Sequence, residues 1–270
     1  MIKDCEERLK ALKSKSKISK SLRASCSIPT LTKTVQHAFL VATGVREGYL
    51  LEGMTSDGES IKSFLEATMS DHQGALAVLE LGMDVLILNK RALKTKLMAL
   101  HGGATWDFTR FPLLIDVDAD LPSFCVEANV KEISRILHNA LQVNQGLLTT
   151  SKESIALCTL LCYEEVQREV SLPLVAGWLI GYPVCYRSVG DGQALSMQQL
   201  EKTSLTIQLE NSEMSLVVME FTAPLCLLEG EGKSKLARSL DARVREVAAI
   251  SIVALTAVEK SVESHPSVIL

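Results

Sequence analysis

The sequence predicts an α/β fold: a single domain with a mixed, partly parallel β-sheet flanked by helices, a late antiparallel hairpin and a long C-terminal helix. Three observations carry this. Two compact apolar runs, Met83–Leu88 (MDVLIL) and Phe111–Val117, stand either side of a helical segment, Lys90–Leu100, in the order of a crossover that places two strands parallel in one sheet. Ser204–Leu209 and Ser215–Thr222 alternate apolar and polar residues around a polar turn at Glu210–Glu213, the pattern of a hairpin. Ser234–Val262 then runs without Pro or Gly and reads as one helix, its second half, Val247–Val258, apolar enough to be buried on most sides.

Composition supports a folded core. The chain has 270 residues, 47% hydrophobic and 22% charged, outside the range of disordered segments. No Gly/Ser-rich or Pro-rich linker and no internal repeat divides it, so residues 26–270 are expected to form one α/β domain. Residues 1–25 form a separate basic helix or tail, with Lys3, Arg8, Lys10, Lys13, Lys15, Lys17, Lys20 and Arg23 beside a thin apolar stripe of Leu9, Leu12 and Ile18. This is read as a solvated terminal helix, the alternative being a membrane or RNA contact.

A net charge of −4 and only 4% aromatic residues argue against a nucleic-acid surface, which needs clustered cations. Seven cysteines, an odd and scattered set, do not form a disulfide framework in a chain of this length and point to a reducing, cytoplasmic setting. The most apolar stretch, Leu172–Tyr186, is short and holds Pro173 and Pro183, so no membrane span is expected. The start carries no signal-peptide apolar core.

In chain order, Ala38–Glu52 splits at Gly44 and Gly48, as a helix end followed by a strand or as two short strands. Asp57 or Ser56 caps a helix through Met69, and Asp71 caps another through Leu81, each short acceptor satisfying first-turn N–H groups. Val126–Leu141 places Val130, Ile133, Ile136, Leu137 and Leu141 on one helical face. A helix is also expected from a cap at Ser151 to Val170. In Leu172–Arg187, Gly177 and Gly181 stand four apart on a helix that turns at Pro183 into a strand, and Trp178, Tyr182 and Tyr186 are read as core in preference to a ligand pocket.

Open α/β sheets bind ligands at the carboxyl ends of their strands. FPLLIDVDADLP ends there in Asp116, Asp118 and Asp120. In an extended chain these alternate with Val117 and Ala119, so the three carboxylates are candidate ligands for one hard cation, Mg²⁺, which relieves their repulsion. The competing reading is a solvated acidic loop with Ser123 or Asp120 capping the next helix. Calcium is excluded: Asp116, Asp118, Asp120 and Glu127 match the first, third, fifth and twelfth positions of an EF-hand loop, but Leu121 occupies the obligatory Gly position.

LLIDVDADL resembles the first motif of the haloacid-dehalogenase-like phosphotransferases. The resemblance implies Asp116 as nucleophile and Asp118 as acid/base; it departs from the family at Asp120, where Thr or Val is usual, and only Gly190–Gly192 (GDG) stands in for a partner motif. His101–Gly103 (HGG) lacks a nucleophile elbow and reads as a helix C-cap. Cys158 and Cys162, four apart, would share a helical face and a soft metal with Cys185 or His138, but read more simply as core. No Walker A loop, G-x-G-x-x-G or H-E-x-x-H occurs.

The run AGWLIGYPVCY, with LLIDVD upstream and the closing PSVIL, resembles an uncharacterised vertebrate family, a domain-of-unknown-function family with a human member encoded by an open reading frame of chromosome 1. The resemblance implies one intracellular domain and brings no chemistry. Two functions stay open: a binding or scaffold domain, or a metal-dependent hydrolase or phosphotransferase using Asp116, Asp118 and Asp120. No particular small-molecule or protein partner follows from the residues.

Overall fold

The computed structural model describes residues 27–51, 57–101, 112–118, 121–142, 154–159, 163–188, 198–210 and 215–264. The basic stretch 1–25 lies outside them, as do Ser56, Ser151, Cys162 and Gly190–Gly192. The fold is mixed α/β, with parallel and antiparallel strands flanked by helices. Contacts gather into two compact units: one of the described residues up to Met98 with those in 139–163, the other of those from Ala99 to His138 and from Glu164 onward.

The first unit is built on a four-stranded sheet. Helix α1 (Ile28–Ala42) starts at Ser27, whose Oγ accepts from Thr30 N, with Pro29 in its first turn, where a missing N–H costs nothing. It leads to strand β1 (Gly48–Leu50), so the helix-then-strand reading of Ala38–Glu52 holds. Helix α2 (Gly58–Thr68) is capped by Asp57, whose Oδ1 accepts from Ser60 N at 2.7 Å. Glu80 Oε1 accepts from Gly58 N at 2.7 Å, adding a second carboxylate to the positive end of the same helix.

The segment expected as a helix from Asp71 to Leu81 is instead a 3-10 turn, Ser70–Ala75, followed by strand β2 (Leu76–Leu81). LAVLEL is too short and too uniformly apolar for periodicity to separate a buried helix from a buried strand. Tertiary pairing decides it: β2 runs antiparallel to β3 (Asp84–Asn89) across a two-residue turn at Gly82–Met83, and β3 runs antiparallel to β1. Helix α3 (Lys90–His101) follows directly.

Strand β6 (Ala156–Thr159) completes the sheet, parallel to β2, in the order β1-β3-β2-β6. It corrects the helix expected from Ser151 to Val170, of which, among the described residues, only Tyr163–Glu169 is helical, and it takes Cys158 off any helical face. Leu76, Val78, Leu86 and Ile87 are fully buried in β2 and β3, and α1 and α2 pack against this sheet.

The second unit holds two three-stranded sheets. Strand β4 (Leu113–Asp116) lies between β5 (Ser123–Phe124), antiparallel to it, and β7 (Val184–Arg187), parallel to it. The crossover expectation is corrected here, since Met83–Leu88 and Phe111–Val117 do not share a sheet and the parallel neighbour of β4 is β7. Helix α4 (Glu127–Gln142) buries Val130, Ile133, Ile136 and Leu137, the face that its periodicity marks.

Helix α5 (Tyr163–Glu169) precedes α6 (Leu172–Ile180), which packs on β7. The two glycines of this stretch act differently. A Cβ on Gly177 would come within 2.9 Å of Cys185 Sγ, so its absence permits the close approach of α6 to β7. Gly181 ends the helix at φ 89°, a left-handed conformation that suits glycine.

Strands β8 (Gln199–Leu209) and β9 (Ser215–Pro224) form the expected hairpin. Helix α7 (Gly230–Ala248) is long, but it stops at Ala248, and residues 253–264 form strand β10 (Val253–Ser264), antiparallel to β8. The buried helical half expected over Val247–Val258 is therefore corrected: Leu255, Val258 and Val262 stand exposed on an edge strand. Val253, Thr256, Val258 and Val262 are β-branched, and a long ladder with β8 satisfies their backbone as well as a helix would. Lys202 on β8 joins the three strands electrostatically, 3.0 Å from Glu220 and 3.7 Å from Glu263.

Candidate functional site

Strands β4 and β7 are both four residues long, apolar through three positions and charged at the fourth: LLID beside VCYR. Parallel register pairs Leu113 with Val184 and ends by pairing Asp116 with Arg187. Opposite charges are thereby set side by side at the carboxyl ends of two parallel strands, where α/β folds gather polar groups. The ladder continues one bond further, Val117 N donating to Arg187 O at 3.1 Å.

Arg187 Nη1 stands 3.0 Å from Asp116 Oδ2 and 3.8 Å from Asp118 Oδ2, and Nη2 donates to Glu169 O at 3.4 Å. Asp116 Oδ1 accepts from Asp118 N at 3.0 Å, a local turn that folds the second carboxylate back toward the first. Ser188 Oγ donates to Asp118 Oδ1 at 3.2 Å. The side chains of Asp116, Arg187 and Asp118 are 19%, 19% and 21% exposed, sheltered enough for their charges to matter to one another.

Two further residues complete the surroundings. Ser171, at the start of α6, is buried and holds φ 81° and ψ 142°, a conformation that side-chain-bearing residues rarely adopt. In it Oγ donates to Tyr186 O at 3.4 Å and accepts from Ser188 N at 3.3 Å, bracketing Arg187 along the edge of β7. Cys125 N donates to Leu114 O at 2.9 Å, and its thiol is pushed up to about 12, chiefly by burial and further by the Asp116 charge, with Arg187 opposing. A thiol of that kind stays protonated at neutral pH and is a poor nucleophile.

Of the three carboxylates expected to converge, Asp116 and Asp118 meet on one guanidinium, and Asp120 lies outside the described residues. Among the described residues no group of three or more His, Cys, Asp or Glu side chains is placed to share a metal. His101 is the last residue of α3, and the two glycines after it lie outside the described residues. Cys158 is a buried strand residue. Trp178 is in the core, and Tyr186 donates to Thr222 O at 2.8 Å with its hydroxyl pushed up to about 12 by burial, so these aromatics pack the interior.

Sequence reasoning missed Arg187, Ser188, Ser171 and Cys125. A signal for Arg187 existed in the matched lengths and opposite terminal charges of LLID and VCYR. None marked Ser171, because backbone strain has no residue-type signature when the residue is not glycine.

A second polar cluster lies in the first unit. His37 stacks on Tyr49 with ring centroids 4.2 Å apart, and its Nδ1 receives Arg46 Nη1 at 2.8 Å, while the Arg46 guanidinium sits 5.1 Å over the Tyr49 ring. Burial and then the Arg46 charge lower the His37 pKa to about 3, so the imidazole is a neutral acceptor. Next to Arg46 in the chain, Glu47 pairs with Lys96 of α3.

A family model described as "Domain of unknown function (DUF4504)" matches residues 7–270. No curated protein and no solved structure matches the chain.

Proposed function

We propose, for a chain that belongs to the DUF4504 family of domains of unknown function, that it is a non-catalytic binding or scaffold domain in which Asp116, Asp118 and Arg187 act as an ion-pair lock between two strands. The observation that carries this reading is the position of Arg187. Its charge is permanent, and it already stands against Asp116 and Asp118, two of the three carboxylates expected to hold Mg²⁺. Magnesium requires close oxygen ligands in near-octahedral array, and a guanidinium 3.0 Å from one of those ligands both repels the ion and competes for the oxygen. The Cys125 thiol beside the pair stays protonated at neutral pH and is not an activated nucleophile.

A cytoplasmic setting belongs to the same proposal. It is supported by the odd total of cysteines and by Cys125, Cys158, Cys185 and Cys226 all being thiols. Among the described residues no helix is long and apolar enough to cross a membrane. Within the family, the run AGWLIGYPVCY and the closing PSVIL favour kinship with the human chromosome 1 open-reading-frame member.

The test is a melting curve with and without millimolar Mg²⁺. The lock reading expects no rise in Tm. A rise that Asp116→Asn abolishes overturns it in favour of a metal-dependent hydrolase or phosphotransferase, with Asp116 as nucleophile or ligand, Asp118 as acid/base or ligand and Asp120 in support.

A further inference from the structure

We draw no further inference here: the strongest candidate, the outer edge of strand β10 where Leu255, Val258 and Val262 stand exposed, carries nothing because no feature of the structure shows what covers it.

Discussion

Asp116 and Arg187 stand directly opposite one another on parallel strands, with Oδ2 and Nη1 3.0 Å apart and both side chains 19% exposed. An ion pair so sheltered lies between the surface case, worth little, and the buried case, in which removing one partner strands the other charge. Asp116→Asn, Arg187→Gln and the double variant are expected to give a coupling energy of roughly 1–2 kcal/mol by urea unfolding. Arg187→Gln should cost the more of the two single changes, since it leaves both Asp116 and Asp118 without their shared cation. Additive single effects would remove the lock.

Ser171 sets strain against hydrogen bonding. Ser171→Ala keeps the unfavourable φ of 81° and loses both Oγ bonds, whereas Ser171→Gly loses the same bonds but relieves the backbone. The glycine variant is therefore expected to be more stable than the alanine variant by about 1 kcal/mol, relief of the backbone adding to the ordinary preference of an N-cap for glycine over alanine. Equal denaturation midpoints would mean that the strain is not held there.

Gly232 in the first turn of α7 leaves no room for a side chain. A Cβ would clash with the Leu227 carbonyl oxygen and meet Phe124 Cζ at 2.7 Å. Alanine is the better helix former by up to about 1 kcal/mol, yet overpacking against a backbone carbonyl costs roughly 1–3 kcal/mol. Gly232→Ala should lower Tm, and a raised Tm would refute the close approach.

His37 makes stability depend on pH. Its folded pKa is about 3, below the ordinary value of 6.5, so between these values the unfolded chain binds a proton that the folded chain refuses. Stability from this group is unaffected above pH 6.5 and falls as pH drops below it, by at most about 1.4 kcal/mol per pH unit and by less where water reaches the half-buried ring. His37→Gln should flatten the wild-type loss of stability between pH 7 and pH 5. An unchanged slope would show that another group carries it.

Much of the architecture was legible in residue order. Asp57 or Ser56 marked the start of α2, because a short acceptor before an apolar-periodic run has few other uses, and Asp57 is the one that caps it. Met83–Leu88 and Phe111–Val117 were recognisable as strands, and the polar stretch between Leu209 and Ser215 marked the hairpin. Three segments misled for a common reason. Leu76–Leu81, Ala156–Thr159 and Val253–Ser264 are all rich in residues that suit a buried helix and a strand alike, and each became a strand because a partner offered a ladder from elsewhere in the chain.

Asp116 and Asp118 were found because like charges spaced two apart at the end of an apolar run are unusual in one stretch of chain. Their partner was not found, because Arg187 is 71 residues from Asp116 and meets it only through the register of β4 with β7. Local residue order by itself determined which segments were apolar enough to enter a sheet, where α2 starts and where the carboxylates lie. Tertiary structure alone decided which strands pair and that the carboxylates face a guanidinium, since strand pairing joins residues distant in the chain and the charge of a site is the sum over every element that reaches it.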